Sequence, residues 1–137
     1  MQISPAGIAF IESNEGLVVH VYNDNGRRAI GYGHDLLPGE SFPDGITQEQ
    51  AEALLFRDLV PVQAALTSLV PQDCTQDQWD ALCDFAYNLG IGSLKTMLAH
   101  GWDQVPLQIP RWNLVNGAAT PGLTARRKAE VALFNQT

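Results

Sequence analysis

Turn signals and helix-start signals are segregated along this chain. Asn25-Gly26 is the strongest short hairpin signal, and it lies between a β-branched run at 17–22 and a returning run at 28–32. Two Thr-x-x-Gln capping boxes, beginning at Thr47 and Thr75, then start helices. Strands followed by helices, rather than alternating with them, predict an α+β fold that is mostly helical. A cleft between a small hairpin lobe and a helical lobe would be a common place for a ligand.

Local signals also predict where most helices begin and end. Ser4-Pro5 fits an N-cap followed by a first helical residue, and this helix is expected to end near Glu15-Gly16. Pro61 is predicted to kink or break the helix that begins after Thr47. The helix after Thr75 is expected to form the central core. The other predictions are a loop at 35–45, an end of the core helix at 88–90, short helices at about 93–100 and 104–112, and a basic amphipathic helix at 122–135.

Length and composition indicate one compact domain. The chain has 137 residues, of which 45% are hydrophobic and 17% charged. We expect a single catalytic domain over residues 1–137, with the hairpin lobe at about 15–45. No stretch approaches the roughly 20 apolar residues of a membrane span, so membrane insertion is not expected. The N-terminus lacks the basic and apolar segments of an export signal, which predicts that the protein stays where it is made.

The charge balance disfavours nucleic acid as a partner. The net charge is −7, which repels nucleic acid and other polyanions at long range. A local basic face is nevertheless expected near the C-terminus, and together with the hairpin arginines it suggests a positive cleft rim. Basic residues on a terminal helix are, however, usually a solvated face. The proposed rim residues are Arg27, Arg28, Arg111, Arg126 and Arg127.

Metal and cofactor sites have no support in the sequence. The three histidines have no zinc-site spacing, and the Gly31-Tyr32-Gly33 segment is too short for a dinucleotide fingerprint. Neither a metal nor a cofactor is expected. Cys74 and Cys83 are expected to remain free, because Cys83 lies inside a helix that Cys74 only precedes.

Two acidic residues suggest hydrolytic chemistry. Glu15 ends an apolar helix, where the helix dipole disfavours negative charge and is expected to raise its pKa. Asp24 lies nine residues later at the hairpin tip. One protonated carboxyl beside one ionised carboxyl is the arrangement that glycoside hydrolysis uses. From the residues alone, a solvated helix end and an ordinary turn aspartate remain open as alternatives.

Five blocks of sequence closely resemble the phage-type lysozymes, the endolysin muramidases of glycoside hydrolase family 24. They follow the family's order and span nearly the whole chain. The blocks are Glu15-Gly16-Leu17 with Tyr22-Asn23-Asp24, residues 30–34 (Ile-Gly-Tyr-Gly-His), residues 46–55, residues 85–90 (Phe-Ala-Tyr-Asn-Leu-Gly), and Arg111-Trp112-Asn113 with residues 122–130.

The resemblance implies cleavage of the β-1,4 bond between N-acetylmuramic acid and N-acetylglucosamine in peptidoglycan. Glu15 matches the family's general acid, and Asp24 matches the second carboxylate, which orients or activates the attacking water. An inverting reaction is expected, with space for that water between the carboxyls. The substrate-binding residues that the resemblance suggests are Tyr87, Asn88, Trp112 and Arg126. Core packing remains an equal alternative for Tyr87, and His34 is expected to be structural.

One residue departs from the family pattern. Ala29 stands where the family has a threonine that helps to hold the water, and the stretch between Asp24 and Ile30 is one residue shorter than usual. Alanine has no hydroxyl to donate or accept. A catalytically weakened peptidoglycan-binding protein is therefore one alternative, and a chitinase-like or transglycosylase-type enzyme is another.

The resemblance also suggests a biological setting. The lack of an export signal implies synthesis in the cytoplasm of a host bacterium, and a monomer is expected. The protein would be a phage or prophage endolysin, or would be delivered by a tail-like apparatus. A holin-type pore would then give the enzyme access to the cell wall. Peptidoglycan glycan strands are the expected partner.

Overall fold

The computed structural model describes residues 1–136, which form six α-helices and two small antiparallel sheets. Short 3₁₀ turns at 102–104 and 109–111 flank the four-residue helix α5. The helices are α1 (Pro5–Glu15), α2 (Gln48–Leu69), α3 (Gln76–Leu89), α4 (Ile91–Leu98), α5 (Val105–Gln108) and α6 (Pro121–Phe134). The strands are β1 (Val18–Asp24), β2 (Arg27–Gly31), β3 (His34–Asp35), β4 (Leu114–Val115) and β5 (Ala118–Ala119).

Side-chain caps define the helix starts that the sequence predicts. The Ser4 hydroxyl accepts a hydrogen bond from the Gly7 amide at 3.0 Å, and Pro5 is the first helical residue of α1. Thr47 and Gln50 exchange the two bonds of a capping box, at 3.1 and 2.8 Å, before α2. Thr75 caps α3 in the same way, so all three predicted starts are confirmed.

The predicted hairpin is also confirmed. Strands β1 and β2 pair antiparallel around Asn25 and Gly26, which have φ angles of 51° and 85°. These left-handed values are those of a tight primed turn, in which asparagine and glycine are favoured. Strand β3 adds a third strand through the pairing of His34 with Ile30.

The break predicted at Pro61 is wrong. Helix α2 continues through Pro61 to Leu69. Proline removes one backbone hydrogen bond, but buried residues on both sides of it, Leu59 and Leu66, hold the helix in place. Pro61 itself is exposed.

The β4–β5 hairpin was not predicted. It turns through Asn116 and Gly117, with φ angles of 51° and 82°. This is the same Asn-Gly signal that predicted the first hairpin. Its strands have only two residues each, too short for a period-2 pattern to reveal them.

The chain divides into two compact units, Ala9–Val60 and Met1–Ile8 together with the chain from Pro61 onward. The first unit contains the three-stranded sheet and most of its buried apolar residues come from β2 and α2. In the second unit α3 packs against α6, and every residue from 79 to 86 is buried, which confirms α3 as a core helix. Cys74 and Cys83 are buried here as free thiols.

A buried aspartate fixes the start of α1. Asp80 accepts hydrogen bonds from the amide and the hydroxyl of Ser4, the amide at 3.0 Å. Gln76 donates to the same carboxylate at 2.8 Å. A negative charge at a helix N-terminus is favourable, because the first amides have no partners within the helix.

Candidate active site

Glu15 is the last residue of α1. The helix ends there because Gly16 takes a left-handed φ of 72° while its amide donates to the Glu12 carbonyl at 2.9 Å. The side chain of Glu15 is half-buried. It therefore lies at the carbonyl end of a helix, where negative charge is disfavoured, as the sequence suggested.

The backbone of Gly33 lies against the Glu15 carboxyl. A Cβ atom added at Gly33 would come within 2.8 Å of Glu15 Oε1, which is closer than real Cβ contacts allow. Gly33 also has a φ of 83°, which L residues rarely adopt. Both facts explain why glycine stands between β2 and β3, and the first places this turn beside Glu15.

Asp24 lies at the tip of the first hairpin. It is the last residue of β1, opposite Arg27, and its side chain is exposed. The neighbouring Asn23 accepts the Gly26 amide at 2.8 Å and fixes the turn. Asn23 thus holds the turn, which leaves the Asp24 carboxylate facing solvent.

Tyr22 is a residue of this site that the sequence analysis did not single out. Burial raises the pKa of its hydroxyl, and the Asp24, Glu15 and Asp35 carboxylates raise it further. The charges of both candidate catalytic carboxylates therefore act on the Tyr22 hydroxyl. Strand period 2 was the available signal, because Tyr22 and Asp24 project from the same face of β1.

Ala29 occupies a buried position in the middle of this sheet. It is 1% exposed and pairs with Tyr22 on β1 and with Asp35 on β3. It offers no hydroxyl at this place. Any water beside Asp24 must be held by other groups.

His34 is structural, as predicted. It is 2% exposed, and its ring nitrogens lie 2.7 Å from Asp58 Oδ2 and 2.8 Å from Glu40 Oε1. Arg57 binds the other oxygen of Glu40 at 2.9 Å. A hydrogen bond from the Leu37 amide, together with His34 and Arg57, lowers the pKa of Glu40 to about 2.

The predicted sugar-binding residues all lie in the second unit. Tyr87 and Asn88 are half-buried near the end of α3, and the half-buried Trp112 ring meets Phe85 edge-on at 5.9 Å. A cavity of about 570 Å³ adjoins this region. Its lining residues are Leu89, His100, Gln108, Arg111, Trp112 and Leu114.

Arg126 and Arg127 are not a solvated basic face. Arg126 donates two hydrogen bonds to the buried Asp84, at 3.0 and 2.8 Å. Arg127 is fully buried and pairs with the buried Glu130. The predicted positive rim is therefore wrong for Arg127, because a guanidinium with no exposed surface cannot form a rim.

The described residues offer no metal site and no membrane span. Within residues 1–136, no group of three or more His, Cys, Asp or Glu side chains is placed to hold a metal ion. None of the helices in the same range has both the length and the hydropathy of a membrane-spanning segment.

Comparison with known families decides the relationship of this chain. The model of the family described as phage lysozyme matches residues 12–130, which include Glu15, Asp24 and all four predicted sugar-binding residues. The chain belongs to the phage lysozyme family. This membership confirms the lysozyme-like fold and the glycoside hydrolase class predicted from the five sequence blocks.

Individual members of the phage lysozyme family match nearly the whole chain. It is 37% identical to an endolysin of Acyrthosiphon pisum secondary endosymbiont phage 1, and the match covers 98% of each protein. It is 39% identical to the endolysin of Bacillus phage PZA, with 98% of this chain but 55% of that longer protein covered.

Solved structures of a muramidase domain and an endolysin are also similar to this chain over nearly its whole length. The muramidase domain of SpmX from Asticaccaulis excentricus is 33% identical, with a TM-score of 0.85 and 99% of each chain covered. An endolysin from Escherichia coli O157:H7 phage FAHEc1 is 31% identical, also with a TM-score of 0.85, and the match covers 99% of this chain and 94% of that one.

Proposed function

We propose that this phage lysozyme hydrolyses the β-1,4 bond between N-acetylmuramic acid and N-acetylglucosamine in peptidoglycan. The observation that carries the proposal is the environment of Glu15. Its carboxyl ends a helix, lies against the Gly33 backbone, and shares the neighbourhood of Tyr22 with Asp24. Two carboxylates in different settings are what acid–base cleavage of a glycoside requires.

In this mechanism the two carboxyls have opposite roles. Glu15, protonated with the help of the helix dipole, gives its proton to the glycosidic oxygen as the bond to the anomeric carbon breaks. Asp24, at the exposed hairpin tip, acts as the base and accepts a proton from the water that attacks that carbon. The products are a new reducing end and a free hydroxyl, and the expected course is inversion.

The residues of the second unit supply substrate binding in this proposal. Tyr87, Asn88, Trp112 and Arg126 bind the glycan, and the cavity beside Trp112 is of a size typical for ligand sites. Trp112 is suited to stack on a sugar ring because indole offers a large flat apolar face. In this reading residues 1–137 act as one catalytic domain.

The proposed setting is lysis of a bacterial host. The enzyme is made in the host cytoplasm, acts as a monomer, and reaches peptidoglycan through a holin-type pore. The names of the relatives support this setting, since several are endolysins of phages.

A second candidate function is peptidoglycan binding without cleavage. Ala29 favours it, because this buried position beside Tyr22 has no hydroxyl to hold the attacking water. The two candidates differ only in whether glycan bonds are cut.

Digestion of purified peptidoglycan tests the proposal. Wild-type protein is expected to release fragments with reducing muramic acid ends, read by mass spectrometry, whereas Glu15→Gln and Asp24→Asn are expected to lose at least a hundredfold in rate. Glu12→Gln, on the same helix, and Asp44→Asn, in an exposed loop, are the matched controls and are expected to keep wild-type rates.

Three other results would each contradict a different part of the proposal. Anhydro-muramic ends would indicate a transglycosylase. Binding to peptidoglycan without fragments would support the second candidate. Wild-type rates in Glu15→Gln would remove Glu15 from the role of acid.

A further inference from the structure

A buried guanidinium connects two of the predicted sugar-binding residues. Arg127, on α6, is fully buried. It donates from Nη2 to Asn88 Oδ1 at 2.8 Å and from Nη1 to the Trp112 carbonyl at 3.3 Å. Its charged carbon lies 5.2 Å from the centre of the Phe85 ring, the ring that Trp112 meets edge-on. The guanidinium therefore meets the side chain of Asn88 and the main chain of Trp112.

This contact determines which way the Asn88 amide faces. A guanidinium has only donors, so the atom of Asn88 that meets Arg127 must be the carbonyl oxygen. The Nδ2 group then points away from Arg127. Among residues 1–136, none of the hydrogen bonds found for Asn88 uses Nδ2. Because Asn88 is half-buried rather than exposed, this donor is held in place and ready for an acceptor from a ligand.

Glu130 holds the guanidinium in turn. Its Oε2 accepts from Arg127 Nη2 at 2.8 Å, and its Oε1 lies 2.6 Å from Nε without hydrogen-bond alignment. A buried ion pair contributes little to stability by itself, since desolvation of both charges offsets their attraction. Arginine rather than lysine suits this place because its planar fork directs donors to several acceptors at once.

The geometry points to Arg127 as a positioning residue that, through its bond to Asn88 Oδ1, presents Asn88 Nδ2 as a donor to an oxygen of the bound glycan. This inference rests on the proposed function, because it assumes that Asn88 contacts the substrate. Arg127 itself touches no substrate in this role, as it has no exposed surface. Its bond to the Trp112 carbonyl reaches the main chain alone and has no part in this role.

The decisive variant removes both buried charges. Arg127→Met alone would leave Glu130 buried without its counter-ion, which is strongly destabilising, whereas Arg127→Met/Glu130→Leu replaces the pair with apolar groups of similar size. Asp84, which also hydrogen-bonds Glu130, keeps its two bonds from Arg126 in the double variant. The double variant is expected to keep its fold, by circular dichroism and urea denaturation, while KM for soluble peptidoglycan rises about tenfold with a smaller change in kcat. Lys128→Met, which removes an exposed charge from the same helix, is expected to change neither value.

A double-mutant cycle separates positioning from a general structural role. Asn88→Ala is expected to raise KM to a similar extent, and adding the Arg127/Glu130 double variant to it is expected to change KM less than twofold. Additive effects would show that Arg127 does not act through Asn88 and would overturn the inference.

Nuclear magnetic resonance tests the same inference without catalysis. In wild-type protein the Asn88 Nδ2 proton signals are expected to be well dispersed and motionally restricted, and in the double variant they are expected to move to the positions of a free amide. An equally restricted amide in both proteins would overturn the inference. If wild-type protein cuts no peptidoglycan, the proposed function fails, while the spectrum still decides whether Arg127 orients Asn88.

Discussion

The contact between Gly33 and Glu15 makes a backbone position part of the candidate active site. We expect Gly33→Ala to lower the rate of peptidoglycan cleavage tenfold or more, because the new Cβ would lie 2.8 Å from Glu15 Oε1 and displace the carboxyl. Its left-handed φ of 83° also predicts a loss of about 1–2 kcal/mol in the free energy of unfolding. Fragment release and urea denaturation measure the two effects.

Gly39 offers a matched control for that substitution. Its φ is 85°, but nothing lies within 4 Å of the position that a Cβ would take. Gly39→Ala should therefore show the same loss of stability with a wild-type cleavage rate. Equal rate losses in both variants would mean that backbone strain, and not the contact with Glu15, limits the enzyme.

The positions of individual residues were predictable where a local pattern determines them. Glu15 at a helix end and Asp24 at a hairpin tip are located by signals within a few residues, whereas their catalytic roles stay predictions that rest on the family resemblance. The support that Arg127 gives to Asn88 was not predictable, because the two residues are 39 positions apart and meet only when α3 packs on α6. The pairing of Arg126 with Asp84, across 42 positions, was not predictable for the same reason.

At the scale of elements, the cluster of His34, Glu40, Arg57 and Asp58 joins β3 and the following loop to α2. Burial lowers the pKa of His34, but the hydrogen bonds with Glu40 and Asp58 outweigh burial and raise it above its usual 6.5. The stabilisation from His34 is therefore complete below about pH 6.5 and is lost as the pH rises through the raised value. The Glu40 contribution is complete above 4.5 and is lost as the pH falls toward about 2.

These opposite dependences predict greatest stability from this cluster between about pH 4.5 and 6.5. We expect His34→Asn to cost about 1–3 kcal/mol in the free energy of unfolding in that window, and less as the pH rises above it. Urea denaturation across the pH range measures this difference. His100→Gln removes an exposed histidine and should give a difference that does not vary in this way. If His34→Asn lowered the free energy of unfolding by the same amount at every pH, the raised pKa assigned to His34 would be contradicted.

Element starts were more predictable than element continuity. Each capping residue forms its bonds within three positions, so Ser4, Thr47 and Thr75 could be recognised from sequence alone. Whether α2 continues past Pro61 depends on the burial of Leu59 and Leu66. That burial arises only in the folded protein and cannot be recognised from local sequence. The anchoring of α1 by Asp80 is likewise a contact across 76 positions.

At the scale of the whole molecule, the net charge of −7 is not relieved by the C-terminal arginines. Arg126 and Arg127 are neutralised by the buried Asp84 and Glu130, so these four residues cancel and the rest of the chain keeps the full negative charge. An anionic cell wall should therefore repel the enzyme at long range.

Repulsion between the negatively charged enzyme and an anionic cell wall predicts that added salt increases the rate of wall cleavage. Raising ionic strength from about 10 to about 150 mM shortens the screening length from about 30 to about 8 Å, and we expect cleavage of intact walls to increase about threefold or more. Uncharged glycan oligomers are the control substrate and should show little change. Inhibition of wall cleavage by salt would instead indicate that local basic contacts dominate.

The fold class was predictable at this scale because the three strands of the larger sheet follow one another without a helix between them. The division of the chain into two compact units was less predictable from the sequence. The first unit runs from Ala9 to Val60, beyond the hairpin lobe expected at about 15–45, because parts of α1 and α2 belong to it. Both helices continue across the partition, and continuous helices leave no signal of a boundary in the sequence.

The two buried thiols make local unfolding of this enzyme measurable, because they react with reagents only when the structure around them opens. Burial raises the pKa of Cys74 to about 11 and that of Cys83 further, so at neutral pH both remain protonated and shielded from alkylating reagents. Both lie in the unit that begins at Pro61, and the chain has no other cysteine. The rate at which these thiols react therefore measures how often that unit opens, while opening confined to the unit Ala9–Val60, which contains Glu15 and Asp24, does not expose them.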